Sequence, residues 1–345
     1  MSGENVVLVT GVGGMWGRRV AGRLVQDGYR VLGMDAEPPT PPVEGLDFIE
    51  ASARNPALAD LLRMEDVDTV CHLAFVDTSR PAQWAFEANV MGTVHLLEAC
   101  AGAGVRRVVL KSSTAVYGAR PGNSAFLAED HALRGSHSQG TVRDLMEIET
   151  YCAGFRHAEP EVGLLVVRLA SIVGPMVDTP LTRLLLAADV PTLLGFDPMM
   201  QVIHEDDAVA ALACAVGSGV TGTVNVAAED VLPLSKMRGL VGKPLLPIWH
   251  PLVYWAKKRS KLQQLPLDPD YLRYPWVGSL DRMRDELGFV PSYSAEEALH
   301  ELGAWRRSER SLSGAELLAQ KESRLRATIA YRQRRGRTEE NEAYE

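Results

Sequence analysis

The chain has 345 residues, enough for one large α/β domain and a smaller lobe. Its 36 Lys and Arg against 44 Asp and Glu leave a formal charge of −8, which argues against a nucleic-acid binder and its basic footprint. Cys71, Cys100, Cys152 and Cys214 are scattered without a CxxC pair, so buried thiols are expected rather than a metal site, and no run of about 18 apolar residues predicts a transmembrane helix.

The first predicted element, Val6-Val7-Leu8-Val9, reads as a buried parallel strand starting almost at the N-terminus. That leaves no length for a signal peptide, and a cytoplasmic location is expected. The strand runs into Gly11-Val12-Gly13-Gly14-Met15-Trp16-Gly17 and then a helix over Arg18–Gln26. Such a strand–turn–helix unit is a phosphate cradle. Gly11 permits the tight turn, Gly14 lets backbone approach a pyrophosphate, and Gly17 lets the helix pack on the strand. Gly28 suits the left-handed position after the helix. The next strand, Tyr29–Met34, ends at Asp35, whose carboxylate can hold both hydroxyls of an adenosine ribose and would repel a 2′-phosphate, favouring NAD over NADP. Pro38-Pro39-Thr40-Pro41-Pro42 reads as a stiff surface loop. Strands at Asp47–Glu50, Asp68–Ala74 and Val105–Leu110 alternate with helices at Leu58–Met64 and from Asn89 through Cys100. This alternation predicts a doubly wound parallel sheet. His72 reads as a packed or capping residue rather than a catalyst.

Thr10-Gly11-x-x-Gly14-x-x-Gly17, Asp35, His72-Leu73-Ala74, Asn89 with Gly92-Thr93, and Ser112-Ser113-Thr114-Ala115-Val116-Tyr117-Gly118 follow one another in order. On these motifs the chain resembles the extended short-chain dehydrogenase/reductases of the NAD-dependent epimerase/dehydratase family, across roughly residues 5 to 303. It is similar in particular to a branch labelled as nucleoside-diphosphate-sugar epimerases. The resemblance implies a Rossmann doubly wound sheet with a smaller C-terminal α/β substrate lobe, and NAD as cofactor. It places NAD against the glycine turn with Gly13, Met15 and Trp16, and against Asp35, Ser52 and Ala53. Leu73, Ala74, Phe75, Asn89 and Ser112 would follow, then Arg143, Ala170 and Ile172. Ser52 stands where the family often has an adenine-contacting Asp. The implied division is 1–173 for NAD, receiving segments near 201–227, then 174–307 for substrate, then a tail over 308–345. It also implies a homodimer through helix faces.

The family's chemistry needs a Ser or Thr after the fifth strand, and a Tyr with a Lys four residues later on one helical face. The cation draws the phenol's pKa toward working pH. Ser113 matches the first requirement. On the helix, Glu147 as the acidic residue four past the Lys position puts Arg143 there and Gln139 in place of Tyr. Gln is no general base, whereas Arg stays charged and can hold a ribose hydroxyl. Three explanations stay open. Tyr117, His137 or a substrate group moves the proton, or the reaction needs none from this helix; activity is lost and NAD is a structural or sensed ligand; or the register differs. Tyr151 has Phe155 four residues on and does not restore the motif.

Val162–Leu169 reads as a sixth strand, and Arg168-Leu169-Ala170-Ser171 resembles a family motif with Asn at the position of Ser171, a departure from sugar-nucleotide binding. Val202–His204 reads as a short strand before a helix over Ala208–Val216 capped by Asp207. Thr223–Ala227 and Tyr274–Leu280 read as strands. Leu245–Lys261 mixes aromatics with a cationic run; a packed lobe helix with a basic end is favoured over a bilayer-surface segment or the cap of an apolar pocket. Ala295–Arg307 reads as a final helix capped by Ser294, Ala315–Arg335 as a leucine-striped helix, and Thr338–Glu345 as a frayed end.

These residues predict an NAD-dependent oxidoreductase or epimerase/dehydratase acting on a secondary hydroxyl, carried by a small molecule such as a nucleotide sugar or a hydrophobic alcohol. The alternative is a non-catalytic NAD-binding regulatory or scaffold protein. No metal is expected.

Overall fold

The computed structural model describes residues 5–76, 82–136, 140–187, 191–242, 246–248, 267–311 and 322. Seven parallel strands form its main sheet. They are β1 (Val6–Thr10), β2 (Arg30–Asp35), β3 (Leu46–Glu50), β4 (Thr69–His72), β5 (Arg107–Ser113), β6 (Gly163–Leu169) and β11 (Gly222–Val226). Their order is β11-β6-β5-β4-β1-β2-β3, so the direction of winding reverses between β1 and β4. A dinucleotide lies across that switch point in folds of this kind. The strands are almost wholly apolar because helices cover both faces. One face is sealed by α1 (Met15–Gln26) and α7 (Glu205–Gly217), the other by α2 (Leu58–Met64), α4 (Gly92–Ala103) and α5 (Gly140–Ala158).

Helix α1 shows how local sequence sets this packing. Gly17, Val20, Ala21 and Leu24 recur at helical spacing and are buried, leaving the arginines at 18, 19 and 23 to the outer side. Arg19 pairs with Glu205 at 2.7 Å, joining α1 to the start of α7. Arg107 of β5 donates to the carbonyls of Ala215 and Val220 at 3.0 and 2.8 Å, capping the C-terminal end of α7 with a cation.

The remaining described residues build a second core. It gathers α6 (Pro180–Leu186), α8 (Leu234–Leu240), the segment around Tyr271 and Trp276, and Ala295, Ala298, Leu299 and Leu302 of α10 (Ala295–Ser311). Three short pairings edge it: β7 (Ser171–Val173) with β10 (Val202–His204), β9 (Met199–Met200) with β12 (Leu232–Pro233), and β8 (Pro191–Leu193) with β13 (Leu246–Ile248). Helix α9 (Asp281–Asp285) returns the chain to the main sheet.

Three expectations change. Tyr274–Leu280 forms no strand; only Gly278 bridges to Leu127, while Gln201 holds the Gly278 backbone from both sides. Helix α7 starts at Glu205, and His204, not Asp207, is its cap, its Nδ1 accepting from the Asp206 amide at 3.2 Å. Asp207 instead accepts from the Ser292 and Tyr293 amides, each at 2.9 Å. Ser294 does cap α10, in a reciprocal box with Glu297. The aromatic–cationic stretch lies outside the described residues except for 246–248, and the two tail predictions over 315–335 and 338–345 also lie outside them, apart from residue 322.

Asp207→Ala would leave two amides without their acceptor beside a buried position. The expected cost is about 2–4 kcal/mol, with Asp207→Asn less damaging; urea denaturation midpoints of the two variants and the parent measure it.

Candidate active site

The turn between β1 and α1 has no space for side chains. Gly11 has φ +79°, and a Cβ there would lie 2.8 Å from Ala74 Cα and from the carbonyl carbon of Leu73. A Cβ on Gly17 would overlap the Gly11 carbonyl oxygen, and one on Gly13 would come within 2.7 Å of the Glu37 carbonyl oxygen. The three glycines therefore bring α1, the end of β4 and the end of β2 together at one point. Gly13 and Gly14 are exposed there, with Met15 and Trp16 half-buried against the core. Helix α1 begins with Gly14 as its cap, makes no side-chain cap bond and carries no acid in its first turn. Its amides and positive dipole end stay available to an anion, so these residues fit a pyrophosphate.

Asp35 closes the β2 side. One carboxylate oxygen accepts from the Gly13 amide at 2.9 Å and the other from the Ala36 amide at 2.7 Å. Beyond it, Ala51 donates to the Asp35 carbonyl, the exposed Ser52 folds its hydroxyl onto the Arg54 amide at 3.3 Å, and Ala53 lies over Gly92.

The floor on the β4 side is set by a buried polar relay. Thr93 Oγ1 donates to the Asn89 carbonyl at 2.6 Å, so it can only accept from His72 Nε2, 3.0 Å away. His72 is thus the Nε2–H tautomer, and its Nδ1 accepts from Thr10 Oγ1 at 2.7 Å. Thr10 Oγ1 in turn accepts the amides of Leu73 at 3.1 Å and Ala74 at 3.3 Å. The Asn89 side chain grips Val76 through both its amide and its carbonyl. Leu73, Ala74 and Phe75 are held against the glycine turn in this way. His72 is structural, as its sequence context suggests, and burial lowers its pKa to about 4.

The β5 end separates two adjacent serines. Ser113 is half-buried at the end of β5, and its hydroxyl accepts from the Ala115 amide at 3.2 Å. Ser112 points the other way and donates to Glu149 of α5. Glu149 is clamped by Arg168, whose Nη1 also donates to the Tyr117 hydroxyl at 2.7 Å; that hydroxyl donates to Asn225 Oδ1 at 2.8 Å. Ser112 and Tyr117 are buried in this network. Burial raises the Tyr117 pKa. The reading of Tyr117 as the proton carrier is therefore corrected, and Ser112 offers no free hydroxyl to a cofactor. Ala170 and Ile172 sit within the core beside β6.

On α5, Arg143 does not pair with Glu147, which is exposed. It donates to Asp144 Oδ1 at 2.8 Å and lies 5.8 Å from the Phe86 ring centroid. Asp144 is buried, and its other oxygen accepts from Asn89 Nδ2 at 3.1 Å. Arg143 is thus tied to the same loop as the β4 floor. Gln139 and His137 lie outside the described residues. Sequence reasoning assigned no role to Thr10 or Thr93 and missed Asp144; all three act through tertiary contacts.

The sequence profile of the NAD dependent epimerase/dehydratase family matches residues 7–227. An uncharacterized protein of Mycobacterium tuberculosis is 36% identical over 308 residues, covering 85% of this chain and 82% of its own. The UDP-glucose 4-epimerase of Thermotoga maritima, solved with UDP-glucose, superposes with TM-score 0.68 at 19% identity, covering 89% of this chain and all of its own. The dTDP-glucose 4,6-dehydratase of Bacillus anthracis, solved with NAD, gives TM-score 0.67 at 18% identity, covering 88% and 97%. These two likenesses establish the fold.

His72 binds its proton at about pH 4 in the folded chain and at 6.5 when unfolded. Between those values the unfolded state holds more protons, so stability falls as pH falls, by up to about 3 kcal/mol through this residue. His72→Gln removes that titration. Denaturation midpoints across the interval should fall less steeply in the variant than in the parent.

Proposed function

We propose the following for this chain, which belongs to the NAD dependent epimerase/dehydratase family: it is an oxidoreductase or epimerase/dehydratase that acts on a secondary hydroxyl, with a nucleotide sugar as the substrate class. NAD is its cofactor. The observation that carries this reading is the glycine turn with the open N-terminus of α1 beside the Asp35 clamp, at the switch point of a sheet whose strand β5 ends at Ser113.

The glycine turn and the start of α1 would hold the pyrophosphate, and Asp35 the adenosine ribose. A 2′-phosphate would meet the Asp35 carboxylate and be repelled. Arg143 would donate to a ribose hydroxyl, since a guanidinium offers donors and no acceptor. Ser113 orients the substrate hydroxyl by hydrogen bonding. When bound, NAD supplies a hydride acceptor for the carbinol carbon; the protein supplies alignment.

A second reading is favoured by one observation. In the register that sets Arg143 at the Lys position, Gln139 falls where the family's chemistry requires a Tyr. On that reading the protein binds NAD as a structural or sensed ligand without turnover.

Incubation with UDP- and dTDP-linked sugars, followed by chromatography of the products and by nicotinamide absorbance, separates the two. Product formation that Ser113→Ala suppresses by about a hundredfold or more supports the enzyme. NAD binding without product from any sugar nucleotide sinks it. Independently, Asp35→Ser is expected to shift the NADP-to-NAD affinity ratio upward by about tenfold, or about 1.4 kcal/mol, in fluorescence titrations.

A further inference from the structure

Lys111 is the one charged residue near the end of β5 that the reading above leaves without a task. It follows the apolar run Val108–Leu110 in a strand held between β4 and β6, where Leu110 pairs with His72 and Lys111 with Val167. Its side chain is partly buried. Its Nζ lies 5.9 Å from the Phe75 ring centroid and has no hydrogen-bond or ion-pair partner among the described residues. A lysine partly withdrawn from water without a carboxylate partner is costly to keep charged. Burial accordingly lowers its pKa to about 8, the sole cause of the shift.

Its position gives this amine a use. Side chains two apart on a strand share a face, so Lys111 and Ser113 project from the same side of β5. Phe75 continues the Leu73–Ala74 segment that walls the glycine turn. Lys111 thus stands past that wall on the β4–β5 side, opposite Asp35 on the β2 side. A dinucleotide across the switch point that sets its adenosine on Asp35 sets its nicotinamide half on the side of Lys111.

The ionisable groups of the surrounding elements are occupied elsewhere. His72 on β4 is neutral between two threonines. Arg168 on β6 is bound to Glu149 of α5, and Arg143 to Asp144. On α7, Glu205 and Asp206 pair with Arg19, and Asp207 holds the Ser292 and Tyr293 amides.

We propose that Lys111 is the proton-carrying group of the cofactor cleft, and that its neutral amine receives the proton of the substrate hydroxyl oriented by Ser113. The substrate O–H bond breaks and an N–H bond forms on Nζ, giving an ammonium ion. The carbinol hydrogen leaves with its electron pair toward oxidised nicotinamide, and a carbonyl remains. In the reverse direction the ammonium returns the proton. The final step rests on the oxidoreductase reading; the placement of the amine does not.

The test uses the full-length chain with NAD+ and NADH as paired probes. The nicotinamide ring is cationic only in NAD+, so a protonated Lys111 weakens NAD+ alone. The ratio of the NAD+ to the NADH dissociation constant is expected to fall about tenfold between about pH 6.5 and pH 9.5 in the parent. Lys111→Met should keep this ratio low and flat, and Lys111→Arg should keep it high and flat. A flat ratio in the parent, or a Lys111→Met variant that titrates like the parent, overturns the proposal. NMR of ¹³C-methylated lysines gives a second readout on the parent itself, where one dimethylamine resonance should titrate near pH 8 and move when NAD+ is added. No such resonance would likewise overturn it. Titration of the ratio with no turnover of UDP-glucose or any other sugar nucleotide supports the placement of the amine and defeats only the oxidoreductase reading.

Discussion

The cofactor cleft depends on one close approach. The β1–α1 turn, the end of β4 and the start of α1 meet so tightly that a single added carbon at Gly11 or Gly17 would collide with backbone. Backbone cannot yield as a side-chain tip can, so this contact fixes the position of α1 relative to the sheet. The amides of the turn, the Asp35 clamp and the Leu73–Phe75 wall are all placed by it. The Thr10–His72–Thr93 relay then locks the wall from behind. Each hydroxyl in that relay has its one proton committed, Thr93 to the Asn89 carbonyl and Thr10 to the imidazole, which leaves His72 a single tautomer.

A second, separate device supports the other side of the cleft. Glu149 and Arg168 are both buried and take in Ser112, Tyr117 and, through Tyr117, Asn225. Such a network is costly to assemble and specifies one arrangement when every member is satisfied. It binds α5, β6, β11 and the turn after β5 into a rigid block. Ser113 stands at the edge of that block with its neighbour Ser112 inside it. The two serines show how alternation along a strand divides structural from exposed duty within one dipeptide.

Much of this was legible in the sequence, and the reason is local. The glycine turn, Asp35 and the alternation of strands and helices are encoded within short windows, where backbone conformation and period suffice. The position of Asp207 shows the limit. As an acid near a helix start it reads as a cap, yet His204 takes that role and Asp207 reaches a segment 85 residues away. Tyr117 reads as a site residue beside a serine motif, and only its contacts with Arg168 and Asn225 reveal it as buried. Tyr274–Leu280 has strand composition, but its polar backbone is met by Gln201 and Leu127 rather than by a neighbouring strand. Each miss is a tertiary partner prevailing over a local preference.

The seventh strand has a consequence for how the chain acquires its form. β11 comes from residues 222–226, more than fifty residues after β6, its one neighbour in the sheet. Until those residues have been synthesised and have docked, β6 presents an unpaired apolar edge, Leu164 to Leu169. An open edge of that kind recruits other strands. A fragment ending at residue 173 would carry every glycine of the cofactor turn and still be prone to sticking to its own copies. Residues 1–173 therefore do not complete the main sheet by themselves: the strand beside β6 comes from residues 222–226.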